Sequence, residues 1–234
     1  NGANAHFWLL NMLRANSDGI IVGAGTMQKE ADMTAHIFDQ DLEDARVEKL
    51  NKNKVPLNIV VSLDGKDIPF EHKLFKAEEV PVYIATSPEG AKYSSENIKQ
   101  DNFVVGPFDD LNEINENRII KEFEINKGKI PIIATGKDKM TNSEVLMKIL
   151  KIIGVEKLLV ESPSYSDHLM KNKILDELFL NYSCIYLGGS TYLGGAIENN
   201  FSSVDHPHTK MLSIHAHSSH FFYFRHKLIY NVEE

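Results

Sequence analysis

The chain alternates short apolar runs with charged or amphipathic segments. Five runs are rich in valine and isoleucine and end in serine, threonine or glycine: 57–62, 80–87, 102–106, 130–136 and 156–162. Unbroken apolar runs of this length are typical of strands covered on both faces, as in a parallel sheet. Together with a shorter run, they predict central strands that include 20–22, 57–62, 80–85 and 157–161.

Helical spacing of apolar residues predicts helices between several of these strands. One helix is expected over 5–14 and a charged one over 41–52. The clearest pattern covers 141–154, where Thr141 and Glu144 have the spacing of a capping box and Gly154 can end the helix. Strands that alternate with helices indicate an α/β fold.

The C-terminal part has longer runs that partly alternate between apolar and polar residues. They predict strands at 177–186, 210–217 and 221–230, and the last two form an antiparallel hairpin that is expected to finish the sheet. We see no repeat and no linker, so residues 1–234 are interpreted as one domain. The predicted fold is α/β, with a mixed, mostly parallel central sheet and antiparallel C-terminal strands.

The net charge and the cysteine content limit the binding partners and the cellular location that the sequence allows. The formal net charge of -8 argues against general affinity for nucleic acid or for an anionic membrane. The single cysteine, Cys184, excludes an internal disulfide and fits a cytoplasmic protein. Because Cys184 lies in an apolar run, we expect it to be buried. No run approaches the roughly 18 apolar residues of a membrane helix, and we see no secretory signal pattern.

The first strand opens into a small glycine-containing loop. Gly23 and Gly25 would let the backbone approach a ligand closely, and Thr26 would add a hydroxyl donor. Ligands of open α/β sheets collect beyond the carboxyl ends of the strands, where this loop lies. The alternative is a tight turn that binds nothing. The loop is not the dinucleotide fingerprint, because Gln28 stands where the third glycine belongs.

Three segments carry a resemblance to a known family. The stretch "RANSDGIIVGAGTM" (14–27), the strand and turn at 58–69, and the segment 156–189 occur in the order found in the riboflavin-biosynthesis pyrimidine reductases. That family forms the C-terminal domain of bifunctional deaminase-reductases. The resemblance covers 10–106 and 141–231. It implies a dihydrofolate-reductase-like three-layer α/β/α fold, commonly found as a homodimer.

The resemblance also implies NADPH as cofactor and a small heterocyclic molecule as substrate. Arg14 and Glu161 fall where the family holds its pyrimidine. Residues expected to contact the cofactor are Gly23, Gly25, Thr26, Glu30, Ser62, Ser162, Ser164 and Tyr165. No catalytic residue is identified by the resemblance.

Four departures from the family bear on the substrate. Ile37 occupies the position where the family has an arginine that binds the ribose phosphate. An aliphatic side chain cannot pair with phosphate. Ser162 and Pro163 replace a glycine pair. The family's first strand is expected before Asn1, and 107–140 is interpreted as an insertion with an additional strand. The chain is therefore interpreted as a reductase whose substrate can be a different pyrimidine or pterin-like heterocycle. A noncatalytic nucleotide-binding or regulatory protein on the same scaffold is the alternative.

Histidines are concentrated near the C-terminus. His206 with His208, and His215 with His217, are spaced to share a strand face. Two histidines can bind zinc, but a real site needs a third ligand, and no cysteine or spaced carboxylate accompanies them. We predict exposed or interface histidines and no metal site.

Overall fold

The computed structural model of the chain describes residues 2–185, 191–192, 195–196, 201–202 and 206–230. These form two compact units, one of Asn11–Ser162 and one of Asn1–Leu10 with Pro163–Glu234. The prediction of a single domain stays a prediction. Tyr186, the expected end of the strand 177–186, lies outside the described residues, as do residues 187–189 at the end of the segment 156–189.

The helices predicted at 5–14, 41–52 and 141–154 are present at approximately those positions, and the other helices were not predicted. Seven helices form within the described residues. They are α1 (Gly2–Asn16), α2 (Ala24–Lys29), α3 (Gln40–Leu50), α4 (Pro88–Asn97), α5 (Glu116–Ile125), α6 (Ser143–Ile152) and α7 (Pro163–Lys171). Short 3-10 turns cover Lys73–Phe75 and Leu111–Glu113.

The strands divide between a parallel sheet and shorter or antiparallel ones. The parallel strands are β1 (Gly19–Gly23), β2 (Leu57–Val61), β3 (Val82–Thr86), β4 (Asn102–Phe108), β5 (Ile130–Thr135) and β6 (Leu158–Glu161). The others are β7 (Glu177–Ser183), β8 (Thr191–Tyr192), β9 (Gly195–Ala196), β10 (His208–Ser218) and β11 (Phe221–Ile229).

The larger unit is built on a six-stranded sheet in the order β4-β5-β3-β2-β1-β6. Every neighbouring pair is parallel, as the unbroken apolar runs predict. Apolar side chains such as Ile20 and Ile21 are fully buried on opposite faces because helices and loops cover both sides of the sheet. The segment 107–140 supplies β5, which lies between β3 and β4 inside the sheet.

Side-chain caps fix where the helices of the larger unit begin. Asp39 accepts from the backbone N–H of Leu42 at the start of α3, and Ser87 caps α4. At α6 the cap is Asn142, whose side chain accepts from the N–H of Val145. The predicted cap at Thr141 is therefore wrong by one residue, because the Asn142 side chain satisfies the free N–H instead.

The C-terminal hairpin does not finish the parallel sheet. β10 and β11 pair with each other, and β11 pairs with β7, in a separate three-stranded antiparallel sheet in the smaller unit. β10 is exposed along almost its whole length, whereas β11 is mostly half-buried, so β10 forms an open edge of this sheet. Cys184 follows β7 and is exposed, so its predicted burial is wrong. The fold class is α/β with these antiparallel C-terminal strands, as expected.

Asp18 connects the turn before β1 to the start of β6. One carboxylate oxygen accepts from the N–H groups of Glu156 and Lys157 at 3.0 and 2.8 Å, and the other forms an ion pair with Lys52. Burial alone would raise the pKa of the Asp18 carboxyl. The bonds from Lys52, Lys157 and Glu156 outweigh burial and place the pKa below its ordinary value of 3.8.

This depressed pKa predicts an acid-dependent stability. A carboxyl of this kind favours the folded state while it is ionised, so its contribution is present above pH 3.8 and is lost as the pH falls through the folded-state pKa. We expect Asp18→Asn to lower the free energy of unfolding most near neutral pH, and the difference from the parent to shrink below about pH 4. Urea unfolding of both proteins across this range measures it, and a difference independent of pH would contradict the expectation.

Candidate functional site

The sheet order creates a topological switch point between β1 and β6. From β1 the chain proceeds to β2 and β3 on one side, whereas β6 pairs with the other side of β1. Ligands of open α/β sheets bind outside the carboxyl ends of strands at such a point. Here β1 ends at Gly23 and β6 ends at Glu161, which is followed by Ser162.

Arg14 and Glu161 form a two-point ion pair. Arg14 Nε donates to Glu161 Oε1 at 2.7 Å, and Nη2 donates to Oε2 at 2.6 Å. The side chains are 6% and 13% exposed, so solvent screens the pair little. The two residues predicted to hold the substrate are thus brought together across 147 positions of sequence.

The same guanidinium is tied to the segment after α2. Arg14 Nη1 donates to the backbone carbonyl of His36 at 2.9 Å, and Asn11 Oδ1 accepts from the N–H of Phe38 at 2.6 Å. Between these contacts Ile37 is 7% exposed. An isoleucine suits this buried position, and its side chain carries no charge that could pair with a phosphate. Burial lowers the pKa of His36. The negative charge of Glu79 opposes this shift, and the nearby positive charge of Arg14 adds to it.

The two glycines of the first loop have different surroundings. A Cβ added to Gly23 would lie 2.7 Å from Ser162 Oγ, so a side chain at this position would force the Ser162 hydroxyl to move. A Cβ added to Gly25 would meet no atom of the described residues within 4 Å. Gly25 lies in α2 and has no positive φ, so the backbone conformation at this position does not require glycine. Space beside Gly25 is open to a ligand.

Thr26 and Glu30 lie at the two ends of α2. Thr26 is half-buried, about 4.0 Å from the position of the Gly23 Cβ. Glu30 is exposed, and its backbone carbonyl accepts from His72 Nε2 at 2.8 Å. His72 Nδ1 accepts from the N–H of Leu74, which leaves the proton on Nε2. The Glu30 carboxylate is therefore presented to solvent while its backbone is held in place.

Several strand-end hydroxyls have partners within the fold. Ser62 accepts from the N–H of Gly65 at 2.9 Å and hydrogen bonds the Asp67 carboxylate. Thr135 accepts from the N–H of Asn142, as Ser87 does from Gly90. Small polar residues at strand ends therefore serve as caps as well as candidate ligand groups, and contact of Ser62 with a cofactor stays a prediction.

Ser164 and Tyr165 lie in α7, within the smaller unit. The Tyr165 ring stacks on His168 with centroids 5.7 Å apart. Burial lowers the pKa of His168, with Asp167 opposing and Lys171 adding to the effect. Ser162 is the last residue of the larger unit and is 3% exposed. The predicted cofactor residues are thus distributed over both units.

Two buried polar residues near this site were not singled out from the sequence. Asn58, within β2, accepts from the N–H of Ala35 at 3.0 Å and donates to the carbonyl of Pro56. In the sequence, Asn58 is recognisable as a polar residue inside an otherwise apolar run. Arg46, in α3, is 2% exposed. The charged pattern of α3 gave no sign of its burial.

The described ranges offer neither a metal site nor a membrane-spanning helix. There, no three histidine, cysteine, aspartate or glutamate side chains are grouped so that they could hold a metal ion. His206 and His208 are exposed and stack with ring centroids 5.0 Å apart. Among the helices in those ranges, none combines the length and apolar character needed to span a bilayer.

Comparison with known proteins gives the family. Residues 4–219 match the profile of the RibD C-terminal domain. The chain belongs to the RibD C-terminal domain family. No curated protein matches it significantly. This assignment confirms the resemblance drawn from the sequence motifs.

Solved structures share the fold of this RibD-type chain at low identity. A pyrimidine reductase-like protein from Corynebacterium diphtheriae is 17% identical, with a TM-score of 0.64, over 99% of this chain and 83% of that one. RibD from Acinetobacter baumannii is 14% identical, with a TM-score of 0.60, over 98% of this chain and 51% of its own. The chain therefore spans about half of that protein.

A third solved structure is a diaminohydroxyphosphoribosylaminopyrimidine deaminase/5-amino-6-(5-phosphoribosylamino)uracil reductase from Thermotoga maritima. It is 14% identical, with a TM-score of 0.58, over 94% of this chain and 48% of its own length. At such identities these likenesses show the fold, which is the dihydrofolate-reductase-like one expected from the motifs.

Proposed function

We propose that this chain is an NADPH-dependent reductase of a pyrimidine or pterin-like heterocycle. Membership of the RibD C-terminal domain family over residues 4–219 carries the proposal. The paired Arg14 and Glu161, beside a glycine loop with open space, support it. NADPH would supply the hydride, and the chain would supply binding and orientation.

The residues at the end of β1 fit a dinucleotide. Backbone can approach a ligand closely at Gly25, since no atom of the described residues lies within 4 Å of an added Cβ. The hydroxyls of Thr26 and Ser162 lie near Gly23, within 4.0 Å of the position of an added Cβ. Glu30, Ser62, Ser164 and Tyr165 complete the proposed contacts of the cofactor.

Arg14 and Glu161 suit a heterocycle with a lactam edge. A guanidinium has five N–H donors, and three of those of Arg14 go to Glu161 and His36. The remaining N–H groups can donate to a ring carbonyl, and the Glu161 oxygens retain lone pairs for a ring N–H. Because Ile37 offers no charge for a phosphate, we infer that the substrate lacks the phosphoribosyl group.

The test is turnover with a panel of unphosphorylated aminopyrimidines and pterins, measured as loss of nicotinamide absorbance. The proposal expects at least one substrate, with kcat/KM reduced by roughly a hundredfold in Glu161→Gln, because the amide would present N–H or C=O where a carboxylate is needed. Tight NADPH binding without turnover of any compound would favour the noncatalytic alternative.

We propose that the chain forms a homodimer through its antiparallel sheet. Cross-strand pairing places Leu180 opposite Phe224 and Phe224 opposite Ile214, so these side chains share one face. On this apolar face Tyr182, Met211 and Ile214 are 46%, 51% and 52% exposed. A contiguous apolar surface of this kind is typical of an interface, and we propose a second copy of the chain as its partner.

The negative charge and single cysteine support a cytoplasmic location without nucleic-acid or membrane partners.

The dimer is tested by placing a charge on either face of β10. Ile214→Asp puts a carboxylate on the apolar face and is expected to give a monomer at micromolar concentration. Ser213→Asp puts the same charge on the opposite face, where Ser213 pairs with Arg225, and is expected to leave the dimer intact. Light scattering measures the mass, and a monomeric parent would contradict the proposal.

A further inference from the structure

Arg46 is a buried cation whose role is not explained by its own helix. It lies in the middle of α3, is 2% exposed, and is among the largest fully buried side chains. A buried charge is costly unless it is well hydrogen bonded, and an apolar residue of similar volume often serves stability as well or better. Its contacts therefore indicate what it does.

Four backbone carbonyl oxygens accept hydrogen bonds from Arg46. Nε donates to Asn53 O at 2.5 Å, which holds the turn between α3 and β2. Nη1 donates to the carbonyls of Ala15 and Ser17 at 2.9 and 2.5 Å, and more weakly to Arg14 at 3.4 Å. The last carbonyls of a helix have no partner within it, and a cation stabilises that end of the helix dipole. Arg46 thus caps the C-terminal end of α1.

The capped residues are those that carry Arg14. Ser17 adds a bond from its N–H to the Arg14 carbonyl at 3.1 Å and one from its hydroxyl to Leu13 at 2.9 Å. The Arg14 backbone is therefore held from both sides, and its side chain meets Glu161 at two points. A two-point ion pair requires both nitrogens within a few tenths of an ångström of their oxygens, so it is sensitive to small displacements of the helix end.

We propose that Arg46 is a positioning residue that keeps the end of α1 where Arg14 can hold Glu161. The inference rests on the proposed function, in which that pair receives the heterocycle. Arg46 acts through Arg14 and lies away from the loop at Gly25. Its loss should therefore disturb the heterocycle side of the site and leave the cofactor side intact.

The small number of arginines allows a direct spectroscopic test. The chain has four, Arg14, Arg46, Arg118 and Arg225, so the Nε–H region of the NMR spectrum of protein labelled with ¹⁵N-arginine contains few signals. The Nε–H signal of Arg14 is assigned as the one that is missing from the spectrum of Arg14→Lys. Because its Nε–H is bonded to a buried carboxylate, we expect slow exchange with solvent in the parent.

Arg46→Met and Arg46→Lys are the variants, and Leu150→Ala is the control. Leu150 is 1% exposed in α6 and takes no part in the hydrogen bonds described at the end of α1, so its truncation lowers the general stability of the fold. At a temperature where all proteins are folded, the Arg14 Nε–H should exchange at least tenfold faster in both Arg46 variants and at the parent rate in the control. Equal exchange in the Arg46 variants and in the control would overturn the proposal, as would failure of both Arg46 variants to fold.

NADPH titration separates this inference from the proposed function. The Arg46 variants are expected to bind NADPH within about twofold of the parent, because the cofactor loop is untouched. If the parent itself binds no NADPH, the proposed function fails, while the exchange of the Arg14 Nε–H still decides the role of Arg46. A loss of NADPH affinity in the Arg46 variants would show a general structural role and would contradict the positioning role.

Discussion

Gly25→Val is expected to weaken NADPH binding at least tenfold, which is about 1.4 kcal/mol, while the fold is retained. Within the described residues, no atom lies within 4 Å of a Cβ added at Gly25, so the branch point of the new side chain has free space. Valine also has a better helix propensity than glycine, and Gly25 lies in α2 without a positive φ. A loss of affinity must then come from exclusion of the ligand.

Gly25→Ala is the matched variant. It adds one carbon to the same space and is expected to weaken binding less than valine does, in proportion to the volume added. Calorimetric titration gives the affinities, and thermal unfolding shows that both variants keep the parent Tm or exceed it. If both variants bind NADPH as tightly as the parent, the loop is only a turn between strand and helix.

Glu161→Ala is expected to lower the free energy of unfolding by about 3 kcal/mol. The substitution leaves the Arg14 guanidinium, which is 6% exposed, without its carboxylate partner. Removing one member of a buried pair is costly because the remaining charge stays desolvated. Replacing both partners with methionine should recover most of the loss, since apolar side chains of similar size tolerate burial. Urea unfolding measures each protein.

An exposed ion pair provides the control for this prediction. Lys148 and Glu116 are 43% and 58% exposed, and their atoms are 2.5 Å apart. Solvent screens such a pair, so Glu116→Ala should cost less than about 1 kcal/mol. Equal losses for Glu116→Ala and Glu161→Ala would contradict the account of Arg14 and Glu161 as a buried unit.

The parallel sheet could be predicted from the sequence because its strands are unbroken apolar runs. The run 57–62 became β2 over Leu57–Val61, and 130–136 became β5 over Ile130–Thr135. Such runs depend on burial of both faces, which is a local property of the sequence. The separate antiparallel sheet could not be predicted, because strand pairing depends on contacts between distant residues. The exposure of Cys184 was missed for the same reason, since an apolar run does not reveal where its strand ends.

The candidate site was predicted in part. The motifs placed Arg14 and Glu161 at the substrate position, but nothing in either segment showed that each would be the other's partner. The hydroxyls at strand ends were equally consistent with ligand binding and with capping, and Ser62 and Thr135 have capping partners. Arg46 could not be found from sequence, because its carbonyl partners belong to a different helix and turn.

The central claim is that this chain binds a nicotinamide dinucleotide, and calorimetric titration of the parent protein with NADPH and with NADH tests it most directly. The account predicts saturable binding of one NADPH per chain, with NADH weaker. Absence of binding heat for both cofactors at millimolar concentration would contradict the account and leave a noncatalytic member of the RibD C-terminal domain family.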